Sequence, residues 1–358
     1  MWRWEFTVLR GRAAIAQFCR IDRLGLSISA AMIFLAFGSV IAGEPAIAQL
    51  TAASCATNDE IPADKREALE HVALGFVQAL ISFNAEAAYA ALSPEAKQTL
   101  SRDTLATLIA AGIRPMAPFS DVHAAQIHLV KVATGAPNAR ALCGSLASPE
   151  GWVSVAVKPI AEQAHILIAA QTRNNGWAFT LWLMPEPDWR VAYFQLTASS
   201  LVGKTAHDMW DLARSEQQAR HDFNAAILYR AANQLAYRGP NFQLGISSEI
   251  QKEMQKMQLP PELQGQAPFI WKSSGDEYRV LDIGPIGVGG EIYLMITQEI
   301  EPWGADQEAD QHNRALIADF KRAVPEYSSV FAGLLVGAKE SGGNRFFRTV
   351  DDAATAPK

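Results

Sequence analysis

Apolar positions along this chain follow two periods, and the change between them falls near Pro118. From Asp64 to Phe83, Leu69, Val72, Ala73, Phe76, Val77 and Leu80 recur at three- and four-residue spacing, which predicts a helix with one buried face. AEAAYAALS fits a second, short helix, and Ser93-Pro94-Glu95 has the cap and first-turn chemistry of a third. Ser101 can open another that stops near Gly112. Beyond Pro118 the period becomes two: AQIHLVKVA, ARALCGSLA, GWVSVAVKP, AHILIAAQT, WAFTLWLM and WRVAYFQLT read as successive strands broken by turns such as NNG and PEPD. Helices followed by an antiparallel run of strands predict an α+β domain whose curved sheet wraps the first helix.

The period lengthens again over residues 203–258, where Met209, Leu212, Ala213, Ala225, Tyr229 and Ala232 predict a helical hairpin followed by a third helix. Arg238-Gly239-Pro240 stops the second of these, and LPPELQGQAP (259–268) is a proline-bounded connector. From Phe269 the pattern is strand, glycine turn, strand, acidic connector, helix, and two strands around Ser341-Gly-Gly-Asn, a small antiparallel β-β-α-β-β domain. Its glycine cluster, YRVLDIGPIGVGGEIYLMI, invites a phosphate-binding reading. That reading fails because a second strand, and no helix, follows the last glycine, and Ile292 stands where a dinucleotide fingerprint needs its third glycine. A hairpin turn, with Pro285 interrupting pairing, accounts for it.

The expected organisation is a leader (1–48), a flexible tail (49–63), a cone-like α+β domain (64–200), a helical segment (201–262), a small α+β domain (268–350) and a disordered tail (351–358). FVQALISFNAEAAYAALSPEAKQTLSRDTLATL and the hairpin GWAFTLWLMPEPDWRVAYFQL resemble the helical opening and closing strands of the nuclear transport factor 2-like, or cystatin-like cone, superfamily. The resemblance covers residues 64–198. It implies a cone-shaped pocket, in a superfamily hosting ketosteroid isomerases, dehydratases and many noncatalytic envelope modules, so fold alone selects no chemistry.

The first fifty residues speak to location. Four arginines (10, 12, 20, 23), the apolar run LGLSISAAMIFLAFGSVIAG and the box Ala46-Ile47-Ala48 before Gln49 have the order of a secretory signal, with cleavage between Ala48 and Gln49. The apolar run also approaches a membrane-span length, so a retained N-terminal anchor facing the periplasm is the alternative. The leader holds five arginines and three acids; of 31 basic and 37 acidic residues the mature chain keeps 26 and 34, net minus eight. With no basic stripe, nucleic acid is excluded as a partner. Cleavage leaves Cys55 and Cys143, which an oxidising compartment pairs as one disulfide.

Candidate chemistry is sparse. Asp121, His123 or His165 could act as a general base inside a cone pocket, and Trp152, Trp177, Trp182 and Trp189 could line it. His207 and Asp211 at i and i+4 supply two metal ligands where zinc wants three or four. Asp306, Glu308, Asp310 and His312 mimic part of a calcium loop, but Gln311 and Ile317 occupy the positions of its glycine and its bidentate acid. Serine-nucleophile and zinc-protease motifs are missing from the sequence. The preferred reading is a periplasmic or secreted noncatalytic protein, without metal or cofactor, that binds an apolar small ligand or an envelope protein. The alternatives are an isomerase- or dehydratase-like enzyme and a helical scaffold docking partners on 203–258.

Overall fold

The computed structural model describes residues 53–133, 139–260, 263–264, 267–273 and 276–352. The predicted leader, its cleavage point at Ala48 and Gln49, and residues 353–358 lie outside these. The first half contains β1 (Ala53–Thr57), α1 (Ala63–Ile81), α2 (Ala85–Ala90), α3 (Pro94–Thr99), α4 (Arg102–Leu108), β2 (Ser120–Val132), β3 (Ala139–Gly144), β4 (Trp152–Val157), β5 (Glu162–Gln171), β6 (Gly176–Pro185) and β7 (Trp189–Ala198). A short hairpin, β8 (Ser200–Leu201) and β9 (Lys204–Thr205), leads to α5 (Ala206–Gln218), α6 (Asp222–Ala236), β10 (Phe242–Leu244) and α7 (Gly245–Lys256). The chain ends with β11 (Phe269–Ser273), β12 (Asp276–Val288), β13 (Glu291–Ile300), α8 (Asp306–Ala323), β14 (Gly333–Glu340) and β15 (Phe346–Asp352). The architecture is α+β. No helix among the described residues is long and apolar enough to cross a membrane.

Local chemistry sets the helix starts where the sequence places them. The Ser93 and Ser101 hydroxyls accept hydrogen bonds from the Ala96 and Thr104 amides, capping α3 and α4. Strands β1-β2-β5-β6-β7 form one antiparallel sheet. The buried face of α1, with Leu69, Phe76, Val77 and Leu80, packs on Ile127, Leu129, Ile166, Ile168, Phe179, Leu181 and Leu183. Strand alternation sends His128, Val130, His165 and Trp182 to the other face of the sheet.

That second face accounts for two departures from expectation. Strands β3 and β4 do not extend the first sheet; with β10 they form a separate sheet, β10-β4-β3. It covers Val130 and Val132 with Cys143, Val153, Val155, Val157 and Phe242, because an apolar sheet face has to be buried against another layer. Residues 53–57 of the expected flexible tail are likewise ordered as β1, paired to β2. Cys55 on β1 and Cys143 on β3 join the two sheets in a disulfide, Cα–Cα 5.3 Å. Closing a loop 88 residues long stabilises the fold by about 3–5 kcal/mol.

The expected helical segment is not independent either. Met209, Trp210, Tyr229, Leu235 and Ile250 share one core with Tyr278, Leu294, Phe320 and Leu334 of the C-terminal unit. Eleven of the fifteen residues of α6 are buried, so it offers no free face. Glu253 on α7 ties the helices together, accepting hydrogen bonds from Trp210 (2.8 Å), Tyr229 (3.0 Å) and both sides of the Arg214 guanidinium (3.0 and 2.6 Å).

The C-terminal sheet runs β11-β12-β13-β14-β15. It has one strand more than expected and is mixed, because α8 carries the chain over to a parallel β13–β14 pair. Gly289 (φ +62°) and Gly290 (φ +95°) make the β12–β13 turn, a conformation that demands positive φ at both positions. Pro285 does not interrupt the ladder; it stands opposite Leu294. Pairing with β11 ends at Val280, so the missing N–H of Pro285 forfeits no bond on that side. Trp271 and Trp303, which flank the sheet, are both buried.

Candidate ligand cleft

Where α6 ends, Arg238 turns back between the two halves of the molecule and is only 6% exposed. Its Nη1 donates to the Leu235 and Tyr237 carbonyls at 2.8 Å, and at 3.4 Å to Ala198 O and Thr197 Oγ1 on β7. All four acceptors are neutral, and among the described residues its hydrogen bonds all run through Nη1. Nε is buried with no partner among the described residues. Burial lowers the guanidinium pKa to about 10, which leaves it charged at neutral pH. A buried cation with no counter-charge is costly, and structures normally pair it.

Arg238 lines a cleft of about 370 Å³ together with Gln171, Ser199, Ser200, Thr205 and His207. One wall is the β8–β9 hairpin, whose turn holds Val202 at φ +51° and Gly203 at φ +74°. A β-branched residue in the left-handed region is strained. Asn175 Oδ1 holds that turn by accepting the Val202 amide at 3.0 Å. Behind it, a Cβ on Gly287 would come within 2.6 Å of a Val202 methyl, so the bare glycine lets the hairpin dock on β12.

The floor is the first turn of α5. The Asp208 carboxylate accepts from the Thr205 amide (2.7 Å) and hydroxyl (2.8 Å), and the Asp208 amide returns a bond to Thr205 Oγ1. These bonds hold the Asp208 carboxyl below its ordinary pKa. The capping box leaves the amides of Ala206 and His207, in the first helical turn, without intrahelical acceptors. At the rim, His207 lies between Glu150 (3.2 Å) and Asp211 (3.3 Å). The cleft therefore combines donors and one cation at its base with acids at its mouth.

A second cavity of about 600 Å³ lies on the other side of the hairpin, lined by Val202, Lys204, Glu291, Ser329 and Phe331. Ser329 belongs to a polar cluster with Glu216, His221 and Asn224. Its Oγ donates to Glu216 Oε2 (2.8 Å), the same oxygen that meets His221 Nδ1 (2.9 Å) and Asn224 Nδ2 (2.7 Å). The carboxylate stands between serine and histidine, so the serine has no imidazole base and is not activated. Burial raises the Glu216 pKa, but the three hydrogen bonds and His221 outweigh it and leave the group below its ordinary value.

The residues singled out in the sequence do not converge. Asp121 and His123 form an exposed pair, with His123 Nδ1 3.0 Å from Asp121 O and 3.4 Å from its carboxylate. His165 is buried on the opposite face of the sheet from α1, its Nε2 donating to Ala156 O at 2.8 Å. Burial lowers its pKa to about 3 and that of His128, directly across the ladder, to about 4. Both are neutral at pH 7. Trp177 and Trp189 pack at the edge of the α1 core, Trp182 stacks on His165 (4.9 Å) on the other face, and Trp152 lies against Gly245. The space between α1 and the sheet is filled by side chains. The acids at the start of α8 are engaged locally: Asp306 with Arg345 and Trp303, Asp310 with Arg314 and Thr349.

Arg238 carried a faint sequence signal, since a basic residue just past a helix and before Gly-Pro reads as a C-terminal cap. Its burial depends on β7, forty residues away, which no local pattern reveals. No family model, curated protein or solved structure significantly matches this chain.

Proposed function

We propose that this chain is an exported, noncatalytic binding protein whose ligand is a small carboxylate-bearing molecule held by Arg238. The observation that carries the reading is a buried guanidinium, with no acidic partner among the described residues, lining a cleft. A carboxylate supplies the negative charge that the neutral acceptors around this guanidinium lack. The hydroxyls of Ser199 and Ser200 and the first amides of α5 suit the rest of a polar ligand. Acids around His207 repel a dianion more than a monoanion, which favours carboxylate over phosphate. Export rests on the leader, and the buried disulfide is compatible with an oxidising compartment.

In this reading the cone-like unit, with its resemblance to the nuclear transport factor 2-like superfamily, serves as a wall for the cleft and not as its container. The enzyme alternative is disfavoured by the exposure of Asp121 and His123, and the scaffold alternative by the burial of α6.

Thermal melts of the mature protein at constant ionic strength test the assignment, with acetate, glycine, inorganic phosphate and chloride as probes. Acetate or glycine is expected to raise Tm saturably, by the equivalent of about 2.7 kcal/mol at a hundredfold excess over Kd. Arg238→Met abolishes the shift, and Arg238→Lys, which keeps charge but loses the fork, weakens it. An equal shift with chloride, or one that survives in both variants, contradicts the assignment.

A further inference from the structure

The two sheets of the first unit meet at a cluster that the ligand cleft does not use. Sγ of Cys55 on β1, Sγ of Cys143 on β3 and a ring nitrogen of His128 on β2 all lie within 4.8 Å of one another. Three strands from two facing sheets thus deliver two sulfurs and one imidazole to a single point. His128 is 5% exposed; among the described residues its Nδ1 is buried without a hydrogen-bond partner, and Nε2 has only Gln126 Oε1 at 3.4 Å. A buried imidazole normally finds a partner for each nitrogen. Here the ring packs against Phe242, with centroids 5.7 Å apart.

We propose that, once the Cys55–Cys143 disulfide is reduced, these three side chains bind one Cu(I) ion in a three-coordinate S₂N site. The chemistry selects this ion over zinc. Two thiolates favour a soft cation, no fourth histidine, cysteine or carboxylate joins the cluster among the described residues, and zinc prefers four. The required co-reactant is a dithiol. One of its thiolates attacks a cysteine sulfur, the S–S bond breaks, and the second thiol displaces the mixed disulfide. The donor leaves as its own disulfide, having given two electrons, and Cys55 and Cys143 are released as thiols. Cu(I) then displaces both thiol protons to solvent, and neutral His128 donates its ring lone pair. A disulfide that accepts the two electrons and leaves as its dithiol re-forms the Cys55–Cys143 bond and releases Cu(I) to solvent, so the site exists in one redox state only.

The experiment uses the mature protein, reduced with a phosphine, desalted under argon and titrated with Cu(I) against a chromophoric Cu(I) chelator. One equivalent per chain is expected, with thiolate-to-copper absorption in the near ultraviolet and none in the oxidised protein. His128→Ala is expected to weaken binding by about tenfold or more, in line with the loss of a ligand-shell group. The Cys55→Ser/Cys143→Ser double variant should bind nothing under competition. X-ray absorption on the wild-type complex reads the ligand set without any substitution, whatever the variants do to folding. Two sulfurs and one nitrogen support the site. Copper bound by sulfur alone, or no more tightly by reduced wild type than by the serine variant, overturns it.

Discussion

At the scale of single residues, the molecule is defined by polar groups buried without their usual partners. His128 and His165 have folded pKa values of about 4 and about 3 against an ordinary 6.5, desolvation being the principal cause for both. Below pH 6.5 the unfolded chain binds more protons at these positions than the native one. Their contribution to stability is complete above 6.5 and is lost as pH falls toward the folded values, by up to about 1.4 kcal/mol per pH unit per histidine. Chemical denaturation at pH 7, 6 and 5 should show this slope, and His128→Phe should remove close to half of it. An unchanged slope in that variant would assign the acid sensitivity to other groups. The pairing of Cys55 with Cys143 was legible in the sequence, because they are the two cysteines that lie beyond the expected leader. Arg238 was not, since its meaning comes from β7 and from having no acid beside it among the described residues.

At the scale of elements, periodicity located the eight helices of the described residues and the longer strands, but not the short strands β1, β8, β9, β10 and β11, and not which strands are neighbours. A period of two states which residues share a face; it does not state what covers that face. Hence β3 and β4 read as members of one sheet, although they fold over to bury its far side. The same limit hid the role of the glycine run. Gly289 and Gly290 form a turn, as the flanking strands imply, whereas Gly287 exists for a contact with Val202, which is distant in sequence. Gly287→Ala must push the β8–β9 hairpin away from β12. A loss of about 1–3 kcal/mol is expected from overpacking, together with weaker acetate binding, because Gly203 and Thr205 of that hairpin line the cleft. Urea denaturation and binding measured on one preparation check both effects; lost stability with intact affinity would detach the hairpin from the site.

On the scale of the whole molecule, the boundaries drawn from composition do not coincide with the cores. The helices after residue 205 and the C-terminal sheet share one core. Between α6 and α7 the chain returns to place β10 against β4 of the first unit. Arg238 sits at that return, bonding to β7 and to the end of α6. Clefts at such junctions are common ligand sites. Interleaving of this kind predicts one calorimetric transition with equal calorimetric and van't Hoff enthalpies. Two resolved transitions would show that the halves unfold separately and that the junction contributes little.

The central claim is that the Arg238 guanidinium receives a carboxylate. Nuclear magnetic resonance of the arginine Nε–H groups during acetate titration addresses it directly. The account predicts that one arginine signal, missing from the spectrum of Arg238→Met, moves saturably as acetate is added. Saturable acetate binding that leaves that signal in place, or no binding at all, would contradict it.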